Sequence, residues 1–205
     1  MIAIVDYGVG NLFSLKSSLT MIGAEAIVTR NAEDLRAADK IILPGVGAFE
    51  DAAKKLRATG LDAVVIEQAK AGKPLLGICL GMQMLFDRSF EYGEHKGLGL
   101  IAGDVIDMRP VIPAHLKVPH IGWNALKLKT PVHPLFRYLS DGDCVYFVHS
   151  FYAANCEEAT IATAEYGADL TAAVASGNVL GCQFHPEKSG KVGLSILRAF
   201  SEGTE

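Results

Sequence analysis

The chain has 205 residues, half of them hydrophobic and a fifth charged, with a formal net charge of -4. That length suffices for one domain, taken as residues 1–205, with a sizeable core, and no basic stripe points to a nucleic-acid partner. The opening run Met1–Asp6 has no basic head and is too short for a signal peptide, and no stretch of 18 apolar residues could span a membrane, so a cytoplasmic protein with no membrane partner is expected.

Ile2 to Val5 is a short β-branched apolar run and predicts a buried strand. Leu12, Leu15, Leu19 and Ile22 stand at helical spacing, with Asn11 as N-cap and Gly23 as the stop. Strands follow at Ala26–Thr29 and Asp39–Leu43, the latter ended by Pro44. Residues 49–71 predict one or two helices broken near Gly60, Leu75–Ile78 a fourth strand, and Leu80–Phe86 a short helix. This alternation of strand and helix predicts an α/β fold, a mostly parallel sheet with helices on both faces. Beyond residue 102 the pattern changes. Residues 103–129, 143–149, 159–166, 171–176 and 178–184 are mostly extended, which predicts extra antiparallel strands, and 189–200 closes the chain as a helix. Ligands of open parallel sheets bind beyond the carboxyl ends of the strands, so the loops after residues 5, 43 and 78 are the places to seek a site.

The loop after the fourth strand reads Gly77-Ile78-Cys79-Leu80-Gly81, the form of a nucleophile elbow running from strand to helix. The tight turn needs neighbours without side chains. It projects the thiol at a helix N-terminus, which favours the thiolate, and leaves the Leu80 N–H to stabilise an oxyanion. The same residues also fit a small buried cysteine between two packing glycines. A base is available in Phe184-His185-Pro186-Glu187, where residues i and i+2 of an extended segment point the same way, so Glu187 can orient His185. Alone, that segment also fits a surface turn started by Pro186. Pro44-Gly45-Val46-Gly47 can bring backbone N–H groups close to a ligand, with Val46 as a second oxyanion donor.

Other patterns lead nowhere. Tyr7-Gly8-Val9-Gly10 lacks the third glycine of a dinucleotide loop, since Phe13 stands there. The histidines at 95, 115, 120, 133 and 149 have no metal-ligand spacing and are taken as satisfied or surface residues. Cysteines 144, 156 and 182 form no C-x-x-C pair and are taken as inert free thiols.

Gly77-Ile-Cys79-Leu-Gly-Met-Gln83 together with Phe184-His185-Pro-Glu187-Lys188-Ser189 resembles the class I, triad-type glutamine amidotransferases, over nearly the whole chain. More narrowly, Ile4-Val-Asp6-Tyr-Gly-Val-Gly-Asn11-Leu12, Pro44-Gly-Val-Gly-Ala-Phe49, Gly122-Trp123-Asn124 and His149-Ser150-Phe151 resemble the glutaminase subunits of imidazole glycerol phosphate synthases. The resemblance implies a flavodoxin-like α/β fold, L-glutamine as substrate, no cofactor or metal, and a (βα)8-barrel cyclase as partner in a heterodimer of histidine biosynthesis. It implies Cys79 as nucleophile, His185 as proton carrier, Glu187 as its orienting group, and Leu80 and Val46 as oxyanion donors. Gly47, Gln83, Glu91, Ser150 and Phe151 match positions that hold glutamine, with Phe151 standing where a tyrosine also occurs. The docking face should surround the strand ends, with the loop Tyr7–Asn11, the segment Gly122-Trp123-Asn124 and Lys188 on its rim. The alternatives are a glutaminase serving another synthase, such as the pyridoxal phosphate system, a non-catalytic module of the same fold, or a thiol peptidase. The Pro-Gly-Val-Gly motif speaks against the first, the retained triad against the second, and Gln83 with the His149-Ser150 segment against the third.

Overall fold

The computed structural model describes residues 1–203. Its first half runs β1 (Ile2–Val5), α1 (Leu12–Met21), β2 (Ala26–Thr29), α2 (Ala32–Ala37), β3 (Lys40–Gly45), α3 (Phe49–Ala58), α4 (Leu61–Lys70), β4 (Leu75–Cys79), α5 (Leu80–Met84), β5 (Phe86–Ser89) and β6 (His95–Lys96). The second half contains β7 (Ile101–Asp107), β8 (His120–Leu128), β9 (Cys144–His149), β10 (Phe151–Ala154), β11 (Thr160–Glu165), β12 (Asp169–Ser176), β13 (Val179–Cys182) and α6 (Gly190–Glu202). Nine strands form one sheet in the order β2-β1-β3-β4-β13-β12-β11-β8-β9. The run from β2 to β13 is parallel and the remainder antiparallel, as the change of pattern in the sequence predicts.

The inner parallel strands β1, β3, β4 and β13 are buried on both faces, with side chains alternating between two cores, while β2 at the edge is half-buried. Ala3 and Val5 of β1 and Ile41 and Leu43 of β3 join the core that contains Leu35, Phe49, Leu56 and Val65 of α2, α3 and α4. Ile2, Ile4 and Ile42 join the opposite core with Leu15 and Leu19 of α1 and Ile196, Leu197 and Phe200 of α6. Gly60, with φ 71°, separates α3 from α4 at the predicted break.

Several expectations change in detail. Pro44 lies inside β3 rather than ending it. The β1 ladder stops at Ile42, and on that side Tyr7 Oη donates to the Pro44 carbonyl at 2.8 Å, so the missing N–H forfeits no ladder bond. Asn11 makes no side-chain cap to α1. Asn31 does cap α2, a helix of six residues too short to show a period, by accepting from the Glu33 N–H at 3.0 Å. The helix after Cys79 ends at Met84 instead of Phe86. A returning segment takes the carbonyls that further turns would use: Leu98 N–H bonds the Met84 carbonyl at 2.7 Å, and Leu100 bonds that of Leu85 at 2.8 Å. Phe86 then enters a second sheet, β10-β7-β5-β6, which the sequence reading does not contain. Residues 103–129 are two strands, β7 and β8, parted by an irregular stretch with Pro110, Pro113 and Pro119, which cannot donate to a ladder.

Candidate active site

Cys79 ends β4 and precedes α5 with φ 54° and ψ −113°, a backbone conformation rare for a residue with a side chain. Its flanking glycines are required by space. A Cβ on Gly77 would lie 2.7 Å from the Gly81 carbonyl oxygen, and one on Gly81 would lie 1.9 Å from that of Leu43. Both obstacles are backbone, so the elbow closes only with glycine at these places. Gly81→Ala is therefore expected to force β3 and α5 apart, with a stability loss of about 1–3 kcal/mol for overpacking. Denaturant unfolding measures it, and an unchanged midpoint would show that the elbow has slack the geometry denies.

Strand β13 runs parallel to β4 with Cys182 opposite Ile78, so its carboxyl end emerges beside Cys79. This register brings together residues more than a hundred positions apart. Gln183 is fully buried there, with Nε2 3.8 Å from the Cys79 sulfur. His185 is fixed by its own backbone: its N–H donates to the Tyr146 carbonyl of β9, and its carbonyl accepts from Ser189 Oγ at 2.6 Å. Ser189 Oγ also accepts from the Tyr146 N–H at 3.0 Å, which ties the turn to β9.

His185 Nδ1 stands 2.8 Å from Glu187 Oε1, and both side chains are buried. The pairing arises differently from the extended segment expected. Pro186–Lys188 form a 3-10 turn, and that turn carries the carboxylate back to the ring. Burial works against a charged His185, but Cys79 and Glu187 outweigh it and raise the imidazole to about 9. The second Glu187 oxygen, Oε2, is buried and has no hydrogen-bond partner. The helix-dipole argument for Cys79 weakens, since α5 has only five residues.

A cavity of about 290 Å³ opens over the elbow. Cys79, His185, Leu80, Val46, Gly47, Gln83, Glu91, Ser150 and Phe151 all line it. Of the candidate catalytic and substrate residues only Glu187 does not, since it lies behind His185. Gln83 is buried and held in place, donating through Nε2 to the Phe151 carbonyl and to Gln183 Oε1, both at 3.0 Å. Glu91 accepts from the Phe49 N–H at 2.7 Å. Burial raises its carboxyl against the pull of that bond and of His95.

The rim residues divide. Trp123 is 55% exposed and packs edge-to-face on Tyr146, and the Lys188 ammonium lies 5.8 Å over the same Tyr146 ring. Ile121, two residues before Trp123 on β8, is 59% exposed and extends this apolar patch. Asn11 is half-buried and flanks Phe13, which is 84% exposed. Tyr7 is not on the rim: it is buried beneath the Pro44 loop, and burial pushes its phenol well up.

The sequence reading missed Gln183, although it sits two places before His185 at a strand end. It also placed His149 among the satisfied or surface histidines. His149 does have a partner, the Phe151 carbonyl at 2.9 Å, but it also lines the cavity, and burial lowers it to about 4. Cys144 is exposed at the start of β9, Cys156 and Cys182 are buried, and all four cysteines are free thiols. Among the described residues no group of three or more His, Cys, Asp or Glu could hold a metal ion, and no helix is long and apolar enough to cross a membrane.

A strained cysteine at the end of a parallel strand, beside a buried histidine–carboxylate pair, defines an α/β protein arranged for nucleophilic attack on a carbonyl. The chain belongs to the class I glutamine amidotransferases, whose family model matches residues 3–202. It is 50% identical over 207 residues to an imidazole glycerol phosphate synthase subunit HisH of Lacticaseibacillus casei, covering 100% of this chain and 97% of that one. The subunit of the same name from Methanosarcina acetivorans is 50% identical over 203 residues, 98% of each chain. A crystal structure of a glutamine amidotransferase superposes with a TM-score of 0.75 over 98% of this chain and 100% of that one, at 23% identity, which speaks to the fold.

Proposed function

We propose that this chain is the glutaminase subunit of an imidazole glycerol phosphate synthase. It hydrolyses L-glutamine to glutamate and passes the ammonia to a (βα)8-barrel cyclase, which makes imidazole glycerol phosphate and aminoimidazole carboxamide ribotide in histidine biosynthesis. The observation that carries this reading is the cavity in which Cys79 and His185 meet Gln83 and Glu91, in a chain about half identical to such subunits along its whole length.

Cys79 attacks the glutamine amide carbon, and the N–H groups of Leu80 and Val46 receive the oxyanion. The C–N bond breaks as His185 gives its proton to the departing nitrogen, leaving a thioester on Cys79. His185 then takes a proton from water, which attacks the thioester, and glutamate leaves. Glu187 orients His185 and stabilises its cation. Glu91 offers a negative charge to the substrate ammonium, while Gln83, Gly47, Ser150 and Phe151 shape the rest of the pocket. The test is glutamine turnover by the chain alone, with the barrel subunit, and with the barrel and its nucleotide ligand. No turnover in any of the three would end this reading.

Ammonia released into water at neutral pH becomes mostly ammonium, which is no nucleophile, so transfer needs a closed route starting at the strand ends. The exposed patch of Ile121 and Trp123, together with Lys188, lies at that edge and forms the docking face, with Asn11 at its margin. Large aromatics are frequent anchors in such faces, with truncation costing about 2 kcal/mol or more at the strongest positions. Trp123→Ala and Lys188→Ala are expected to weaken association and to raise the ratio of glutamate to imidazole product above one. A ratio of one with unchanged association in both variants would place the docking face elsewhere.

A further inference from the structure

Behind the cavity wall a chain of side chains runs from the pocket to the docking strand. His149 Nδ1 is 2.9 Å from the Phe151 carbonyl, and His149 Nε2 is 3.2 Å from His120 Nδ1. His120 Nε2 is 2.8 Å from Asn124 Oδ1, and Asn124 Nδ2 donates to the Glu165 carbonyl at 3.0 Å. The rings are well packed: His120 stacks between Tyr166 at 4.0 Å and Phe147 at 5.1 Å.

The hydrogen count of this chain does not close with neutral rings. Both ends are carbonyls, which only accept. Four contacts need four hydrogens. Each neutral imidazole brings one N–H, and the Asn124 amide can donate to only one of its two neighbours, since its oxygen faces the other. Flipping the amide moves the deficit and does not remove it. One additional proton, shared by the two histidines, satisfies every contact.

We propose that His120 and His149 are positioning residues that share one extra proton, and that this proton fastens the Ser150–Phe151 wall of the glutamine cavity to strand β8. The proposal rests on the glutaminase reading for its substrate but not for its proton. The wall matters because the Phe151 carbonyl also receives Gln83 Nε2, so one acceptor joins both supports of the pocket. Asn124, at the far end, shares β8 with Ile121 and Trp123, so the chain joins the wall to the strand that carries the docking patch.

The surrounding groups set the sign. Burial opposes the charge on both rings, and the Asn124 bond favours it on His120. A charged His185 repels a proton on His149. Cys79 and Glu91 face the same cavity, Tyr166 stacks on His120, and the Glu165 carboxylate is turned away to the Gly167 N–H. The proton is therefore lost as pH rises, and the wall loosens on the alkaline side of that step.

The experiment is nitrogen-15 NMR of the full-length chain with labelled histidine from about pH 3 to about pH 9, which reaches below the ordinary imidazole range because burial holds both rings down, with glutamine kinetics of the assembled synthase across the folded part of that range. His120 and His149 are expected to titrate together in one step, with the glutamine KM rising across it and kcat following only His185. Asn124→Asp sets a carboxylate against His120 and should move the step up by about one pH unit or more, while Asn124→Leu removes the acceptor and should move it down. Opposite shifts are beyond a purely packing role. Rings that stay neutral throughout, titrate independently, or titrate with no step in KM would overturn the proposal, as would two variants that shift the same way. Should Asn124→Asp fail to fold, the wild-type titration and Asn124→Leu decide. An assembled synthase that turns over no glutamine sinks the glutaminase reading, while the NMR titration still decides whether the proton is there.

Discussion

Glutamine hydrolysis by a Cys79→Ala variant is expected to fall by roughly 10⁴-fold or more, because members of a nucleophile–base–carboxylate unit fail together when one is removed. No other thiol can stand in. Cys182 is fully buried, and burial drives its thiol far from ionisation, with the nearby Glu187 charge adding to the effect. Cys156 is buried and its thiol is also raised by burial. Cys144 is exposed, but it lies at the start of β9, and the cavity is at that strand's other end. Alanine changes little in the fold: it removes one sulfur atom, and the left-handed backbone at residue 79 is already imposed by the packing of Gly77 and Gly81. Association with the partner should survive. A glutamine-like electrophile should label Cys79 and spare the other three thiols, with peptide mapping as the readout. Full turnover in a homogeneous Cys79→Ala preparation, or a label on another cysteine, would remove the proposed mechanism.

Where local pattern determines structure, the sequence is easy to read. β1 falls on the predicted residues because four apolar residues in a row, buried on both faces, leave few alternatives, and β2, half-buried at the sheet edge, does so through the β-branched run Ile27, Val28 and Thr29. The elbow is legible because glycine, cysteine and glycine at alternate positions at a strand end solve one steric problem. The second sheet was not legible: β5 is four residues with exposed Asp87 and Arg88 between buried Phe86 and Ser89, its partners are β6 and β7, and β7 pairs in turn with residues 151–154. Nothing local announces such pairings. The same holds for Gln183 and the His120–His149 chain. Their significance comes from the register of β13 on β4 and of β8 on β9, where His120 faces His149. Glu187 lay between these cases. Its spacing from His185 drew attention for a strand-like reason, while a 3-10 turn makes the contact.

For Glu187→Gln the expected result is a fall in kcat of roughly 10⁴-fold with little change in the glutamine KM, by analogy with removing the charge from an orienting carboxylate. The carboxylate accepts from His185 Nδ1 at 2.8 Å and leaves Nε2 free to exchange protons at the reacting end. The side chain is 3% exposed, so the replacement amide cannot turn to water for a partner. If its oxygen keeps the place of Oε1, its NH₂ falls where Oε2 now lies buried without a partner, and a buried donor goes unsatisfied. If it flips, the NH₂ donates to Nδ1, moves the ring hydrogen to Nε2, and removes the lone pair that must take the proton of water. Either way the charge that supports the imidazolium is gone, so His185, now held up to about 9, should titrate well below that in the variant. The sign for stability follows: a raised histidine contributes fully below its ordinary value of 6.5, and the contribution is lost as pH climbs through about 9. The wild type should therefore lose stability relative to Glu187→Gln across that alkaline window. Nitrogen-15 titration of His185, read beside kcat and KM, checks each part. A collapse of glutamine affinity with kcat preserved would instead make Glu187 a substrate contact, and an unmoved His185 titration would show that the carboxylate does not support its charge.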